Sequence, residues 1–292
     1  MLKLGAITKS YGDRRVLDDV SFEIATGRLT GFVGANGAGK TTTMRILLGL
    51  LRQDSGTVEL DGHPVGPDDR RRFGYMPEER GLYPKMRVAE QIEYLGRLRG
   101  MGKASAAAAT AGLLERLGLA ERANDLVEKL SLGNQQRAQI AASLVHQPSV
   151  LVLDEPFSGL DPLAVDSVAE VLNETAARGA AVLFSSHQLE LVERLCEDIV
   201  VIAGGSIRAS GPAEALRRQN AGSRYELRVR GDLAWLPGFG GVEVVSGMAG
   251  HALFDAAPAD ARLVLERAVK EDVVSFAPQR PSLAEIFREV VK

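Results

Sequence analysis

Apolar runs alternate along the chain with segments of helical periodicity. Two runs, Leu29–Val33 and Val150–Leu153, end in small or acidic residues, and a third covers 180–184. Short, largely apolar runs of this kind are typical of strands buried on both faces of a parallel sheet. Each is followed by a turn and a helical pattern, which predicts an α/β fold with its functional groups at the carboxyl ends of the strands.

The pattern becomes mainly helical between about 84 and 145. Val88, Ile92 and Leu95 share one helical face, and the alanine run at 106–109 also favours helix. We expect this stretch to be a helical subdomain inserted into the α/β domain.

A second region is expected after Gly211-Pro212, where a short polar helix leads to new strand and helix patterns. We therefore predict a large α/β domain over 1–215 and a small α+β domain over 222–292. The elements predicted after the polar helix are a linker at 220–222, a strand at 225–230, a helix near 262–269, a strand at 273–276, and a last helix opened by Ser282 with Glu285 at the capping-box spacing.

The composition excludes several classes of protein. Hydrophobic residues make up 45% of the 292 residues and charged ones 25%, as in ordinary globular proteins. The net charge of −3 and the short arginine clusters at 70–72 and 217–218 give no electrostatic surface for nucleic acid, so no nucleic-acid partner is expected.

The cellular compartment of the chain is indicated by its cysteine content and by its lack of long apolar runs. Cys196 is the single cysteine, which rules out an intrachain disulfide and fits a reducing environment. No run approaches the ~18 apolar residues that span a bilayer, and the first residues lack the apolar core of a signal peptide. We expect a cytoplasmic chain.

The strongest chemical signal is GANGAGKT, which fits the phosphate-binding pattern G-x-x-x-x-G-K-[ST] between a strand and a helix. Glycines let backbone N–H groups approach phosphates at a helix N-terminus. Lys40 would neutralise phosphate charge, Thr41 would offer its hydroxyl to Mg²⁺, and Thr42 would bond phosphate. A glycine-rich turn without function would look similar, but the flanking elements argue against it.

Two adjacent carboxylates, Asp154 and Glu155, directly follow the predicted strand Val150–Leu153. Asp154 is placed to contact Mg²⁺, and Glu155 to orient and deprotonate an attacking water. Taken alone, an apolar strand ending in Asp-Glu is more often a plain strand boundary. The glycine-rich loop upstream reverses that preference.

The stretch LSLGNQQ at 130–136 resembles the signature of ABC ATPases, in an LSxGNxQ variant. Ser131 and Gly133 would offer a hydroxyl and amides to an anion at a helix N-terminus, although a Ser that only caps a helix would look the same. The position about twenty residues before the paired carboxylates, as in that family, strengthens the resemblance.

The resemblance to ABC ATPases extends through most of 1–215 and implies further site residues. Tyr11 matches the aromatic residue that stacks on adenine, His187 the switch histidine that senses γ-phosphate, and 158–161 the D-loop. The nucleotide contacts implied are Tyr11, Gly34, Ala35, Asn36, Gly37, Ala38, Gly39, Lys40, Thr41, Thr42, Ser131, Gly133, Asn134 and Asp161, with Lys40, Glu78, Glu155 and His187 as catalytic residues and Thr41, Glu78 and Asp154 as metal ligands.

Glu78 departs from the general family pattern, which has a glutamine at this position that touches Mg²⁺. A carboxylate only accepts hydrogen bonds, whereas an amide also donates them. The surrounding GYMPEERGLYPKM, together with the ending RPSLAEIF, resembles a prokaryotic branch paired with ABC-2-type permeases, including sodium- and drug-export ATPases. Glu78 either ligates the metal or shapes the loop.

The resemblance implies a RecA-like P-loop core with a helical subdomain and a C-terminal accessory domain. It also implies ATP and Mg²⁺ as cofactors, a head-to-tail dimer with a second copy or a paralogue, and a separate transmembrane permease at the inner face of the membrane. Export is the expected direction. The transported substrate is not encoded in this chain.

Two other classes of protein compete with a transporter subunit. Soluble ABC ATPases of translation carry two cassettes in one chain, and repair relatives carry long coiled coils or zinc-binding cysteines, neither of which is present. An unrelated P-loop nucleotidase or kinase would leave the LSLGNQQ stretch unexplained.

Overall fold

The computed structural model describes residues 1–79, 81–219, 223–279 and 282–290. The chain divides into two compact units, Met1–Ala213 and Glu214–Val290. The predicted linker at 220–222 lies outside the described residues. Within the part that is described, no helix has the length and apolar character needed to cross a membrane.

The first unit combines strands and helices along its whole length, and the second unit continues with a smaller set of both. The strands of the first unit are β1 (Leu2–Tyr11), β2 (Arg14–Ile24), β3 (Leu29–Val33), β4 (Ser55–Leu60), β5 (His63–Pro64), β6 (Phe73–Met76), β7 (Val150–Leu153), β8 (Ala181–Ser186), β9 (Asp198–Ala203) and β10 (Ser206–Pro212). Its helices are α1 (Lys40–Leu47), α2 (Pro67–Arg71), α3 (Val88–Leu98), α4 (Lys103–Arg116), α5 (Leu132–Leu144), α6 (Pro162–Ala177) and α7 (Leu189–Leu195). From the boundary onward follow α8 (Ala213–Gln219), β11 (Arg224–Val229), β12 (Val242–Met248), β13 (His251–Ala256), α9 (Pro258–Ala268), β14 (Val273–Pro278) and α10 (Leu283–Val290).

The central sheet of the first unit has the order β10-β9-β3-β8-β7-β6 and is parallel except for β10. The predicted strands Leu29–Val33 and Val150–Leu153 are confirmed with the same ends. The strand predicted at 180–184 runs from Ala181 to Ser186, because Ser185 and Ser186 pair with Phe32 and Val33 of β3. Parallel strands place their carboxyl ends at one edge, and the predicted loop and carboxylates follow there.

A second sheet of the first unit, antiparallel with the order β2-β1-β4-β5, was not predicted from the sequence. Its first strand in the chain, β1, buries Leu2, Leu4 and Ile7 against the core. The alternation between them is broken by a register shift between Leu4 and Ile7, where Ala6 has a φ of 51°. A bulge of this kind shifts the side-chain period by one residue and hides the strand from a period-two search.

The helical subdomain predicted at about 84–145 contains α3, α4 and α5, and the alanine run lies in α4. Val88 and Ile92 are buried on the predicted face of α3, and Leu95 is partly buried. The helices of this region are packed on one another, as amphipathic faces require.

The second unit is an antiparallel sheet of order β12-β13-β11-β14 with α9 against one face. Leu227, Phe254 and Val264 lie in its core. The predicted strand at 225–230, helix near 262–269 and strand at 273–276 occur with shifted ends, whereas β12 and β13 were missed. Ser282 caps the last helix as predicted, because its hydroxyl accepts from the Glu285 N–H at 3.3 Å.

Candidate functional site

The loop between β3 and α1 has a conformation that requires glycine. Gly37 and Gly39 have φ values of 77° and 111°, a region that other residues rarely adopt. A Cβ on Gly34 would lie 2.5 Å from the carbonyl oxygen of Ile202. The glycines therefore shape the backbone that leads into the N-terminus of α1.

Lys40, the first residue of α1, is buried and holds the loop closed. Its Nζ donates to the carbonyl oxygens of Gly34 at 2.6 Å and Ala35 at 3.3 Å. The Ala38 N–H also donates to Ala35, and the Ala38 side chain packs in the hydrophobic core. Ala35 and Ala38 thus shape the loop, while Lys40 brings a positive charge to it.

Asp154 is buried where β7 ends, and both of its carboxylate oxygens accept from hydroxyl groups. Oδ2 accepts from Thr41 Oγ1 at 2.8 Å, and Oδ1 accepts from Ser185 Oγ at 2.6 Å. The first of these bonds joins two of the predicted metal ligands. Burial raises the pKa of the nearby Tyr75 phenol above its usual range, and the negative charge of Asp154 adds to that shift.

Glu155, the next residue, points its carboxylate at His187. Glu155 Oε2 lies 3.0 Å from His187 Nδ1. The carboxylate side chain is 12% exposed and the imidazole side chain is 57% exposed, so the pair joins a nearly buried group to a solvent-facing one. The contact brings together two of the predicted catalytic residues.

One cavity of about 380 Å³ collects most of the predicted residues. It lies at the carboxyl edge of the central sheet, where α/β proteins bind ligands. Glu78 lines it as well, as do Thr41 and Asp154. The lining residues are Tyr11, Arg14, Val16, Asn36, Gly37, Gly39, Lys40, Thr41, Thr42, Glu78, Asp154 and Glu155.

The hairpin between β1 and β2 forms an aromatic side of this cavity. Tyr11 ends β1 and is 52% exposed, with Lys9 Nζ at 5.6 Å from its ring centroid. Arg14 and Val16, in β2, line the same cavity and were missed by sequence reasoning. The signal that could have found them is their position just after Tyr11 on the returning strand.

The signature residues lie apart from this cavity. Among the described residues that line it, neither Ser131 nor Gly133 nor Asn134 occurs. Ser131 is exposed and caps α5, its Oγ accepting from the Asn134 N–H at 3.3 Å. Asp161 is likewise outside the lining set and caps α6, accepting from the Ala164 N–H at 2.9 Å.

Comparison with known proteins shows the family of the chain. It is 37% identical over 295 residues to the uncharacterized ABC transporter ATP-binding protein YhaQ of Bacillus subtilis, an alignment that covers 100% of this chain and 98% of that one. The chain belongs to the ATP-binding proteins of ABC transporters. It is therefore an ATPase subunit of a transporter with a RecA-like P-loop core, as the sequence predicts.

Other comparisons agree with this membership in the ABC family. Residues 17–158 match the ABC transporter family, and residues 211–291 match the C-terminal domain of DrrA1-3-like ATP-binding proteins. The Nod factor export ATP-binding protein I of Paraburkholderia xenovorans is 40% identical over 74% of this chain and 72% of its own. A solved ATP binding subunit of an ABC transporter superposes with a TM-score of 0.70 at 32% identity, covering 75% of this chain and 92% of that chain.

The contacts that two residues of this ABC ATPase make with the segment 154–156 were not predicted from the sequence. Ser185 bonds Asp154 and also accepts from the Glu155 N–H at 2.8 Å. Gln136 donates through Nε2 to the carbonyl oxygens of Glu155 and Pro156, both at 3.0 Å. Gln136 is the last residue of the signature stretch, and Ser185 precedes His187 by two residues.

The cavity suits a magnesium ion that is bound together with a nucleotide. Within the described ranges, no group of three or more His, Cys, Asp or Glu residues could hold a metal alone. Mg²⁺ usually takes one or two carboxylates and completes its shell with phosphates and water. The hydroxyl of Thr41 and the carboxylate of Asp154, bonded at 2.8 Å, form a donor set of that kind.

Proposed function

We propose that this ATPase works as a head-to-tail dimer in which each nucleotide contacts the glycine-rich loop of one chain and the signature of the other. The observation that supports this most directly is the separation of the two motifs. The loop lines the cavity, whereas Ser131, exposed at the start of α5, is not among the described lining residues. A signature facing outward is available to a second copy or a paralogue.

Each residue of the loop has a role in this proposal. Backbone amides of the loop and the Thr42 hydroxyl bond phosphates, and Lys40 exchanges its bonds to Gly34 and Ala35 for phosphate oxygens. Mg²⁺ would be held by Thr41 and Asp154, with Glu78 lining the same cavity, and when bound it would neutralise phosphate charge.

Hydrolysis is assigned to Glu155 and His187. Glu155 orients the attacking water and accepts its proton, which is a role that a carboxylate lining the cavity can take. His187, 3.0 Å from that carboxylate, senses the γ-phosphate. Tyr11 stacks on the adenine ring, and Arg14 on the same wall of the cavity adds a positive charge near the nucleotide.

We further propose that the ATPase domain, predicted as 1–215, drives a separate permease from the inner face of the membrane. Closed and open dimers differ in their affinity for ATP, which is what lets binding and hydrolysis shift a conformational equilibrium. Export is supported by the names of two relatives, which refer to Nod factor export and linearmycin resistance. The domain predicted as 222–292 is accessory to this ATPase domain.

Complementation between two inactive variants tests the dimer. Lys40→Ala and Ser131→Arg should each abolish ATP hydrolysis alone. Mixed in one dimer, they place both defects in one site and leave the other intact, so activity should return. With random pairing, half the dimers are mixed and each has one good site of two, so recovery is limited to roughly a quarter of the wild-type rate.

The control mixes the double variant with wild-type chain. Each site of that mixed dimer carries one defect, so no activity beyond that of the wild-type homodimers is expected. The opposite pattern, with no rescue between single variants and added activity in the control mixture, would place loop and signature of one chain in the same site and reject the proposal.

A further inference from the structure

Glu155 has a backbone conformation that is rare for its residue type. Its φ is 52°, in the left-handed region where side chains with a Cβ are disfavoured. Such a conformation persists only where the surroundings hold it, and it is enriched at functional sites. The carboxylate of Glu155 lies 3.0 Å from His187, so this strained residue is also the one whose side chain faces the site.

Two side chains from different elements hold the peptide groups of Glu155. Ser185, in β8, accepts from the Glu155 N–H at 2.8 Å. Gln136, in α5, donates to the Glu155 carbonyl oxygen and to that of Pro156, both at 3.0 Å. The Glu155 carbonyl also accepts from the Ser158 N–H at 3.2 Å. Both backbone polar groups of Glu155 are thus held by side chains.

The direction of the Ser185 bonds follows from their partners. A backbone N–H can only donate, so the Ser185 oxygen accepts from Glu155 and its single proton goes to Asp154 Oδ1, at 2.6 Å. One hydroxyl therefore links the carboxylate of Asp154 to the peptide of Glu155. Ser185 is 0% exposed and Gln136 is 4% exposed, so water does not compete for these bonds.

We infer that Ser185 and Gln136 are positioning residues that hold Glu155 in its left-handed conformation and aim its carboxylate at the nucleotide cavity. This inference rests on the proposed role of Glu155 in ATP hydrolysis. Neither residue is among the described residues that line the cavity. Their loss should consequently slow the chemical step and leave the binding of ATP largely unchanged.

The test compares kcat and KM for ATP in the full chain. Ser185→Ala removes the hydroxyl, and Gln136→Met keeps the length of the side chain but removes its donor. Each should lower kcat by at least about tenfold, since small misplacements of a catalytic group are costly. KM should stay within about threefold of the wild-type value, because the mutated residues do not contact the nucleotide.

Matched controls separate positioning from general stability. Thr175, 3% exposed, donates to the carbonyl oxygen of Val171 within α6. Ser143, 4% exposed, makes one local bond to Ile140. Thr175→Val and Ser143→Ala each lose a buried side-chain bond at a residue that does not line the cavity, and both should keep kcat within about threefold of the wild-type value. Ser185→Thr retains a hydroxyl and should recover most of the rate.

Thermal unfolding establishes which variants fold. If Ser185→Ala does not fold, the kcat of Gln136→Met alone tests the inference. Wild-type kcat in the folded positioning variants, or an equal loss in the controls, would overturn the inference. Glu155→Gln is measured beside them. If it is inactive while the positioning variants match the wild type, only this inference fails; if it hydrolyses ATP normally, the proposed role of Glu155 fails, and this inference with it.

Discussion

The two halves of the predicted nucleotide site are built in different ways. The loop half, residues 34–42 with Asp154 and Glu155, is tied together by the hydrogen bonds of Lys40 to Gly34 and of Thr41 and Ser185 to Asp154. The signature half, Ser131, Gly133 and Asn134, stands at the start of one helix and makes mainly local bonds.

In this contrast, the loop half is formed within one chain, whereas the signature half is exposed on one chain. The polar groups of the loop half converge on one cavity, whereas Ser131 is exposed. Substitutions in the loop half should therefore impair ATP binding by the isolated chain. Substitutions in the signature half should impair function only in the dimer. The following predictions test that distinction, from the largest expected effect to the smallest.

Glu155→Gln should abolish turnover and preserve ATP binding, because the amide has the same shape but cannot accept the proton of water. With ATP and Mg²⁺, a trapped dimer should accumulate on gel filtration. Ser131→Arg in the same background should prevent that dimer without preventing ATP binding. A monomer that releases phosphate at the wild-type rate would contradict the role given to Glu155.

Gly34→Ala should lower stability by about 1–3 kcal/mol, because its Cβ would lie 2.5 Å from the Ile202 carbonyl and the loop must move. ATP binding to the monomer should fall with it. In Gly133→Ala the new Cβ would lie 3.2 Å from the carbonyl oxygen of Gly159, a contact that a small shift of the backbone relieves. It should leave monomer binding intact and reduce turnover. Calorimetric unfolding and nucleotide titration measure both variants, and similar losses in the two would erase the distinction between the halves.

Tyr11→Ala should weaken ATP binding by roughly 1–3 kcal/mol, the range for removing an aromatic ring that stacks on a base. Tyr11→Phe retains the ring and should have almost no effect. Fluorescence titration with a labelled ATP analogue measures both. Unchanged affinity in Tyr11→Ala would make this half-exposed ring ordinary surface.

Glu78→Gln should have the smallest effect and leave ATP hydrolysis active, since the amide keeps an oxygen ligand and adds a donor. The informative measurement is the Mg²⁺ dependence of the rate. A shift to higher Mg²⁺ would favour direct ligation, and an unchanged dependence with weakened coupling to the permease would favour a role in transmission. A variant unaffected in both respects would remove Glu78 from the site.

Much of the catalytic core could be predicted from the sequence because its signals are local. The strands Leu29–Val33 and Val150–Leu153 are short buried runs whose apolar character does not depend on their neighbours. The glycine-rich loop is likewise a contiguous pattern, since the backbone that approaches phosphate must come from adjacent residues. The antiparallel sheet was missed because a bulge near Ala6 breaks the alternation on which strand prediction depends.

The sequence by itself determined the α/β core, the phosphate loop and the pair Asp154 and Glu155, because each is encoded within a few consecutive residues. Only the tertiary structure decided that Ser185 joins Asp154 to the Glu155 peptide, and that Gln136 holds the Glu155 carbonyl. These residues come from β8 and α5, and no local pattern records which distant backbone group a buried hydroxyl or amide will meet. The close packing of the parallel strands and the helix beside them determines which of these groups form hydrogen bonds.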